Sequence, residues 1–329
     1  MRKIKVVVLM GGKSPEHEVS ILSGTNVVKS LKPSKYEVLP VVISKDGSRW
    51  RLTSRKSLLF LSDPLALKGT AKEIVLSQER SLAGAEALSK KDIDLVFIAM
   101  HGPFGEDGTI QGMLSLTGIK YTGSGVLASA IGMDKAMFRK VMRAEGIPVP
   151  KLITKFPCFV KPDNQGSSVG ASIARNKKEL SKAIKLARKY SSRVLIEEYL
   201  KGMEVTCAVL GNENPKALPV IEIVPLKGEF FDYESKYTES GAQEIVPARI
   251  SKALTKKVQD IAIQVYKAIG CRGFGRVDFI LKNNKYPVVL EINTIPGLTP
   301  MSLVPKAANA GGFSYSALID KIISLATKD

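Results

Sequence analysis

From Arg276 to Asn293 the chain reads Arg-Val-Asp-Phe-Ile-Leu-Lys-Asn-Asn-Lys-Tyr-Pro-Val-Val-Leu-Glu-Ile-Asn, a stretch with little conformational choice. Two alternating runs rich in β-branched residues flank the turn residues Asn283-Asn284-Lys285, so an antiparallel hairpin over Gly275–Thr294 is predicted. With the turn centred between Asn284 and Lys285, Asp278 faces Glu291 and Arg276 faces Asn293. The period of two along each strand then sets all four side chains on one face. Opposed carboxylates repel unless a cation lies between them. With an amide alongside, they form an oxygen-only set suited to Mg²⁺, of the kind that clamps nucleotide phosphates. The competing reading is the solvated face of a surface hairpin, with Arg276 pairing a carboxylate. The segment alone favours neither.

Upstream, apolar runs alternate with helical spacing. Lys5–Met10, Glu37–Ile43 and Asp94–Met100 read as strands, with a helix over Ser20–Leu31 between the first two. Such alternation predicts a doubly wound α/β domain. Residues 46–89 carry no clear pattern. A glycine-dense stretch, Gly102–Gly125, leads into an expected long helix, Val126–Glu145, which Gly146-Ile-Pro148-Val-Pro150 terminates. Strands are expected at Lys151–Lys155, Cys158–Lys161, Val194–Tyr199, Glu204–Leu210 and Ala217–Val224, with a basic helix over Lys177–Tyr190. Between Pro225 and Pro247 the mixed charges show no period, as expected of a functional loop or lid. A helix over Lys252–Ile269 precedes the hairpin, and a last helix starts at Ser314.

With 329 residues the chain exceeds one ordinary core and implies several domains. Its net charge of +18 invites a nucleic-acid reading. The lysines are spread along the whole chain, however, and no nucleic-acid module or zinc-finger spacing is visible, so no nucleic-acid partner is expected. A cationic cleft for a polyphosphate would use part of this charge. The apolar run Val6–Met10 is too short for a signal-peptide core, and no run approaches a membrane span. Cys158, Cys207 and Cys271 lie far apart without metal-type spacing. They read as reduced, which places the chain in the cytoplasm.

Three further motifs follow predicted strands. Lys161-Pro-Asp-Asn-Gln-Gly-Ser-Ser-Val-Gly170 sets small residues between glycines, where backbone N–H groups and hydroxyls can approach phosphate, with Lys161 supplying charge. A plain turn is the alternative. Gly11-Gly12-Lys13-Ser14-Pro15-Glu16-His17-Glu18 satisfies neither the dinucleotide fingerprint nor the P-loop. It does put Glu16 at the carboxyl end of a strand, where open α/β sheets bind ligands; a helix-capping turn is the alternative. Met100–Gly108 and Glu291–Leu303 are Gly/Pro-rich loops that could be ordinary connections.

Taken together and in order, GGKSPEHEVS, HGPFGEDGTIQG, YTGSG, MDK, VKPDNQGSSVG, FDYESKY, GFGRVDF and EINTIPGLTPMSLVP resemble the D-alanine–D-alanine ligases of the ATP-grasp superfamily over nearly the whole chain. The resemblance implies an N-terminal α/β domain (1–103), a central domain (104–197) and a C-terminal domain (198–329), with ATP gripped between the last two. It implies that Asp278, Glu291 and Asn293 hold two Mg²⁺ ions, with Mn²⁺ as an admissible replacement. Lys135, Lys161 and Ser168 would contact the nucleotide, Glu197 the adenine amine, Glu198, Tyr199 and Leu200 the base through their backbone, and Glu204 the ribose. Glu16 would hold the ammonium of the first D-alanine, with His101 nearby. Arg276 and the Gly297 N–H would form the oxyanion hole. Lys236, Ser302 and Leu303 would bind the second carboxylate, and Tyr237 on the lid would hydrogen-bond towards Ser167 and Glu16. The implied partners are D-alanine, ATP and a second copy of the chain. Other readings are a ligase with a different second substrate such as D-lactate, a nucleotide-binding regulator without catalysis, an oxidoreductase, or a nucleic-acid binder.

Overall fold

The computed structural model describes residues 2–55, 58, 93–153, 155–166, 168–226 and 242–328, and the backbone of 72–75. The first sheet is built on β1 (Ile4–Gly11), whose run Val6–Met10 is fully buried. A strand buried on both faces reads as continuous apolar sequence because helices cover it from either side. The helix α1 (His17–Ser30) crosses over to β2 (Tyr36–Ile43), which lies parallel to β1. The strands β3 (Arg49–Leu52) and β4 (Lys72–Val75) extend that edge antiparallel. β5 (Leu95–Ile98) pairs parallel with β1 on its other side, giving the order β4-β3-β2-β1-β5. Most of the unpatterned stretch 46–89 lies outside the described residues.

The glycine-dense stretch contains a helix that its composition hid, α2 (Thr109–Thr117), bounded by Gly108 and Gly118, both at positive φ. The long helix expected over Val126–Glu145 is two helices, α3 (Val126–Met133) and α4 (Lys135–Ala144). Asp134 adopts extended backbone between them, and its side chain accepts the Met137 N–H at 2.8 Å, so a capping residue divides the run. The strand expected at Lys151–Lys155 is a single bridge, Leu152 to Glu197.

A small sheet follows, β6 (Cys158–Pro162), β7 (Ser172–Ala174) and β8 (Val194–Glu198) in the order β7-β6-β8, packed on α5 (Lys177–Ala187). The third sheet is antiparallel. It consists of β9 (Gly202–Leu210), the short β10 (Lys216–Ala217), β11 (Ile221–Pro225), β12 (Ala242–Ile245), β13 (Phe274–Lys282) and β14 (Tyr286–Asn293), in the order β12-β11-β9-β13-β14 with β10 beside β9. The strand expected at Ala217–Val224 breaks around Pro219, which has no N–H for a ladder. The helix α6 (Lys252–Ala268), capped by the Ser251 side chain, buries Val258, Ala262, Val265 and Tyr266 against this sheet. The chain ends with α7 (Leu303–Ala310), an unexpected helix, and α8 (Tyr315–Thr327). The apolar side of α8, including Leu318, Ile319 and Ile322, enters the core of the first sheet, where the Tyr36 hydroxyl donates to Asp320 at 2.7 Å.

The hairpin reaches the expected pairing by a different turn. Its loop is Asn283-Asn284-Lys285 with both asparagines at positive φ, and Lys282 pairs with Tyr286. An irregularity after Asp278 leaves Leu290 as the extra residue, and that bulge restores Asp278 opposite Glu291 and Arg276 opposite Asn293.

Candidate active site

A cavity of about 640 Å³ lies between the small sheet and the antiparallel sheet. Phe159, Val169, Ile223 and Ile280 supply apolar walls that suit the faces of a planar base. Of the residues expected to bind ATP, Lys135, Lys161, Ser168, Glu197, Glu198, Tyr199, Leu200 and Glu204 all line it, together with Asp278 and Glu291. Ser168 holds a left-handed backbone, φ 57°, next to Ser167, which lies outside the described residues.

At the depth of this cavity Glu197 joins two cations. Its Oε1 accepts from Arg139 Nη1 at 2.8 Å and its Oε2 from Lys161 Nζ at 2.8 Å. The side chains are 5%, 3% and 11% exposed for Arg139, Glu197 and Lys161. Arg139 also donates to the Pro150 carbonyl at 2.5 Å. A carboxylate offers only acceptors, which suits the amino group of a base. Glu198 points its carboxylate elsewhere, to the Lys151 N–H and to Lys282, both in protein contacts. Its backbone N–H donates to the Lys151 carbonyl at 2.9 Å. Arg139 was not legible as a functional residue: α4 is strongly amphipathic, and an arginine in it reads as surface charge.

Lys135 bridges two parts of the site. Its ammonium donates to the Gln165 carbonyl at 2.8 Å and pairs with Glu291 at 2.9 Å. Burial pulls its pKa down, but the Glu291 charge and hydrogen bond more than offset this, so the ammonium stays protonated above its ordinary range. The start of α4 is tied to the phosphate-type loop as well, since Asp163 accepts from the Ala136 N–H at 2.7 Å.

The hairpin face is enclosed rather than solvated. Asp278 is 7% exposed and accepts from Arg276 Nε at 2.8 Å, Arg276 Nη2 at 2.7 Å, Thr206 Oγ1 at 2.6 Å and Asn293 Nδ2 at 3.2 Å. The pairing expected of a surface hairpin is therefore present, but inside the cleft. Burial lowers the Arg276 pKa and the Asp278 charge raises it further than that, so the guanidinium remains a cation. It meets Asp278 through its Nε/Nη2 edge and presents Nη1 on the other side. Among the described residues no group of three or more His, Cys, Asp or Glu surrounds one point. The donors present are two carboxylates in register and a carboxamide, all oxygen ligands. They fit a hard divalent cation whose shell is completed by water and phosphate oxygens.

On the side of the first sheet, Glu16 stands at the start of α1. A Cβ on Gly102, whose φ is 69°, would come 2.7 Å from Glu16 Oε2, and one on Gly166 would come 3.0 Å from it. The carboxylate thus lies between the loop after β5 and the loop after β6, and only residues without side chains let those loops close on it. Glu106, Gly166, Glu291 and Asn293 share an adjoining niche with Lys135. Burial first, then the nearby Glu16 charge, push the Glu106 carboxyl up to about 8, although it accepts the Gly102 N–H at 3.1 Å. The sequence gives no sign of this at Glu106, since an acid in a glycine-rich loop is no more marked for burial than for solvent.

His101 is 4% exposed, and both ring nitrogens meet protein partners: Nδ1 the Ile295 carbonyl at 2.9 Å, Nε2 the Ser23 hydroxyl at 2.9 Å. Ser302 stands at the N-terminus of α7, with its Oγ accepting the Thr299 N–H at 3.1 Å and lying 2.9 Å from where a Gly297 Cβ would be. Leu303 opens the helix, so backbone N–H groups at this end suit an anion such as a carboxylate. Lys236 and Tyr237 lie outside the described residues.

A nucleotide-sized cleft between two sheets, lined by lysines and an opposed carboxylate pair and adjoined by an acid-bearing α/β domain, suits ATP together with a divalent cation. Two family models together span most of the chain, the D-ala D-ala ligase N-terminus over residues 5–124 and the D-ala D-ala ligase C-terminus over 131–324. The D-alanine–D-alanine ligase of Carboxydothermus hydrogenoformans is 39% identical, over 98% of this chain and 98% of its own. The structure of the D-alanine–D-alanine ligase from Coxiella burnetii superposes with TM-score 0.85 at 35% identity, covering 100% of this chain and 95% of that one. VanG D-Ala:D-Ser ligase from Enterococcus faecalis does so with TM-score 0.84 at 35% identity, over 99% of this chain and 100% of its own. The chain belongs to the D-alanine–D-alanine ligase family, whose members use ATP and divalent cations. Among the described residues no helix is long and apolar enough to cross a membrane.

Proposed function

We propose that the chain performs its family's reaction, the ATP-dependent joining of two D-alanines for peptidoglycan precursors, through a D-alanyl phosphate. The observation that carries this reading is the opposed pair Asp278 and Glu291 lining the same cleft as Lys135, Lys161 and Glu197. Glu16 holds the ammonium of the first D-alanine, which directs its carboxylate at the γ-phosphorus of ATP. The P–O bond to ADP breaks as the acyl phosphate forms, and Lys135 balances charge on the phosphoryl oxygens. Two Mg²⁺ ions held by Asp278, Glu291 and Asn293 would supply the remaining neutralisation. The neutral amine of the second D-alanine then attacks the acyl carbon. Arg276 and the Gly297 N–H stabilise the oxyanion, and phosphate leaves as the peptide bond forms.

The second carboxylate fits the start of α7 at Ser302 and Leu303, with Lys236 from the 225–247 segment. We assign Ser167 and Tyr237 to the network around Glu16, with that segment as a lid that excludes water. Domain limits at 103 and 197, a homodimeric state and a cytoplasmic setting belong to the same proposal. The test is phosphate release with Mg²⁺ and ATP across D-alanine, L-alanine, D-serine and D-lactate. Release with D-alanine alone and D-alanyl-D-alanine as the main product in competition are expected. Equal stimulation by L-alanine, or a main product ending in D-serine or D-lactate, overturns the assignment.

A further inference from the structure

Residues 294–299 form an irregular turn with no ladder of their own, yet both sides of Gly297 are tied down by three other elements. The Ile295 carbonyl accepts from His101 Nδ1 at 2.9 Å, from the loop after β5. The Leu298 N–H donates to Ser23 Oγ on α1 at 3.3 Å. The Leu298 carbonyl accepts from the Tyr315 hydroxyl, at the start of α8, at 2.5 Å. Ser23 Oγ also lies 2.9 Å from His101 Nε2, which closes the set.

The protons can be placed by elimination. A carbonyl only accepts, so His101 carries its proton on Nδ1 towards Ile295. Ser23 receives the Leu298 N–H and gives its own proton to Nε2. With the imidazole neutral, one directed chain runs from the Leu298 N–H through Ser23 and His101 to the Ile295 carbonyl. Burial holds the His101 pKa below its ordinary value, which the nearby Glu16 only partly opposes. The Tyr315 phenol is held well above its ordinary range by burial, so it remains a donor.

We infer that Ser23 and Tyr315, acting with His101, are positioning residues that aim the Gly297 N–H at the developing oxyanion. The inference rests on the reading of Gly297 as an oxyanion donor. A backbone donor is useful only if its peptide plane is held before the charge appears. Here the residues on either side of Gly297 are held by groups on α1, the loop after β5 and α8, so three distant segments set the direction of one N–H. None of the three bonding groups needs to touch substrate.

The experiment uses the full-length enzyme with ATP, Mg²⁺ and D-alanine, comparing Tyr315→Phe, Ser23→Ala and Arg276→Lys. The readouts are kcat, the KM values, and ADP released per dipeptide formed. Phosphoryl transfer precedes the oxyanion, so a misaimed donor slows only the second step and gives the longer-lived acyl phosphate time to escape to water. For Tyr315→Phe and Ser23→Ala we expect dipeptide formation to fall about tenfold, a fraction of what losing a donor outright costs, with KM for ATP unchanged and ADP per dipeptide above one. ADP and dipeptide falling in parallel, or both staying at the wild-type level, overturns the inference. If Arg276→Lys raises the ratio while the other two do not, the inference alone fails. If Arg276→Lys also leaves it unchanged, the oxyanion reading itself fails. Tyr315→Phe keeps the ring and decides the matter should Ser23→Ala not fold.

Discussion

Replacing Glu197 by glutamine would remove the one anion from a buried group of three charges. Arg139 and Lys161 are 5% and 11% exposed, so neither can recover hydration by swinging out. Stranding a buried charge costs about 3–5 kcal/mol, because desolvation is already complete and the compensating attraction is gone. For a chain of this size that corresponds to a fall in Tm of roughly 4–7 °C. The arithmetic of charge also predicts an order. Arg139→Met leaves a neutral Glu197–Lys161 pair and should cost less than Glu197→Gln, which leaves two cations together. Combining the two substitutions removes one of the stranded cations, so the double variant should melt above Glu197→Gln alone. Thermal unfolding without nucleotide, followed by circular dichroism, measures all three. The KM for ATP should rise in each variant, since the side chain at position 197 is no longer fixed from both sides. A Glu197→Gln protein melting with the wild type, or a double variant melting below both singles, would refute the electrostatic account of this wall.

Three further outcomes are expected. The Glu106 carboxyl, at about 8 in the fold against an ordinary 4.5, stays protonated in the folded state while the unfolded chain has lost that proton, so its contribution to stability declines as pH rises through that window; Tm measured from pH 4.5 to 9 should fall less steeply in Glu106→Gln, and parallel curves would reject a protonated buried acid. Glu16→Gln should raise the KM for the first D-alanine by at least tenfold, since a charge-assisted bond is lost, with little change in KM for ATP; the opposite split would move Glu16 to the nucleotide. Glu291→Gln removes both a proposed metal ligand and the partner of Lys135, so turnover should drop about a hundredfold at saturating Mg²⁺; a near-normal rate would return the hairpin to a structural role.

Sequence by itself determined whatever depends on neighbours in the chain. The period of two, together with an Asn-Asn-Lys turn, was enough to pair Asp278 with Glu291, although the turn and the bulge share the register differently than expected. The alternation of apolar runs with helical spacing was enough to announce a doubly wound α/β domain, and the motif order was enough to indicate the family. Local signals failed where a single residue outweighs a pattern: Asp134 divides a helix that its periodicity joins, and Pro219 divides a strand. Short elements bounded by glycine, such as α2, were hidden for the same reason. Only the tertiary structure decided which distant residues meet. Arg139 on α4 and Glu197 on β8 meet only in the folded chain, and nothing in either segment specifies the other. Likewise α8 enters the core of the first sheet, and Ser23, His101 and Tyr315 converge on one turn. Hydrophobic burial is non-directional and specifies that an apolar face must be covered, not by what. The choice of cover, and with it the environment of every buried charge, is a property of the whole fold.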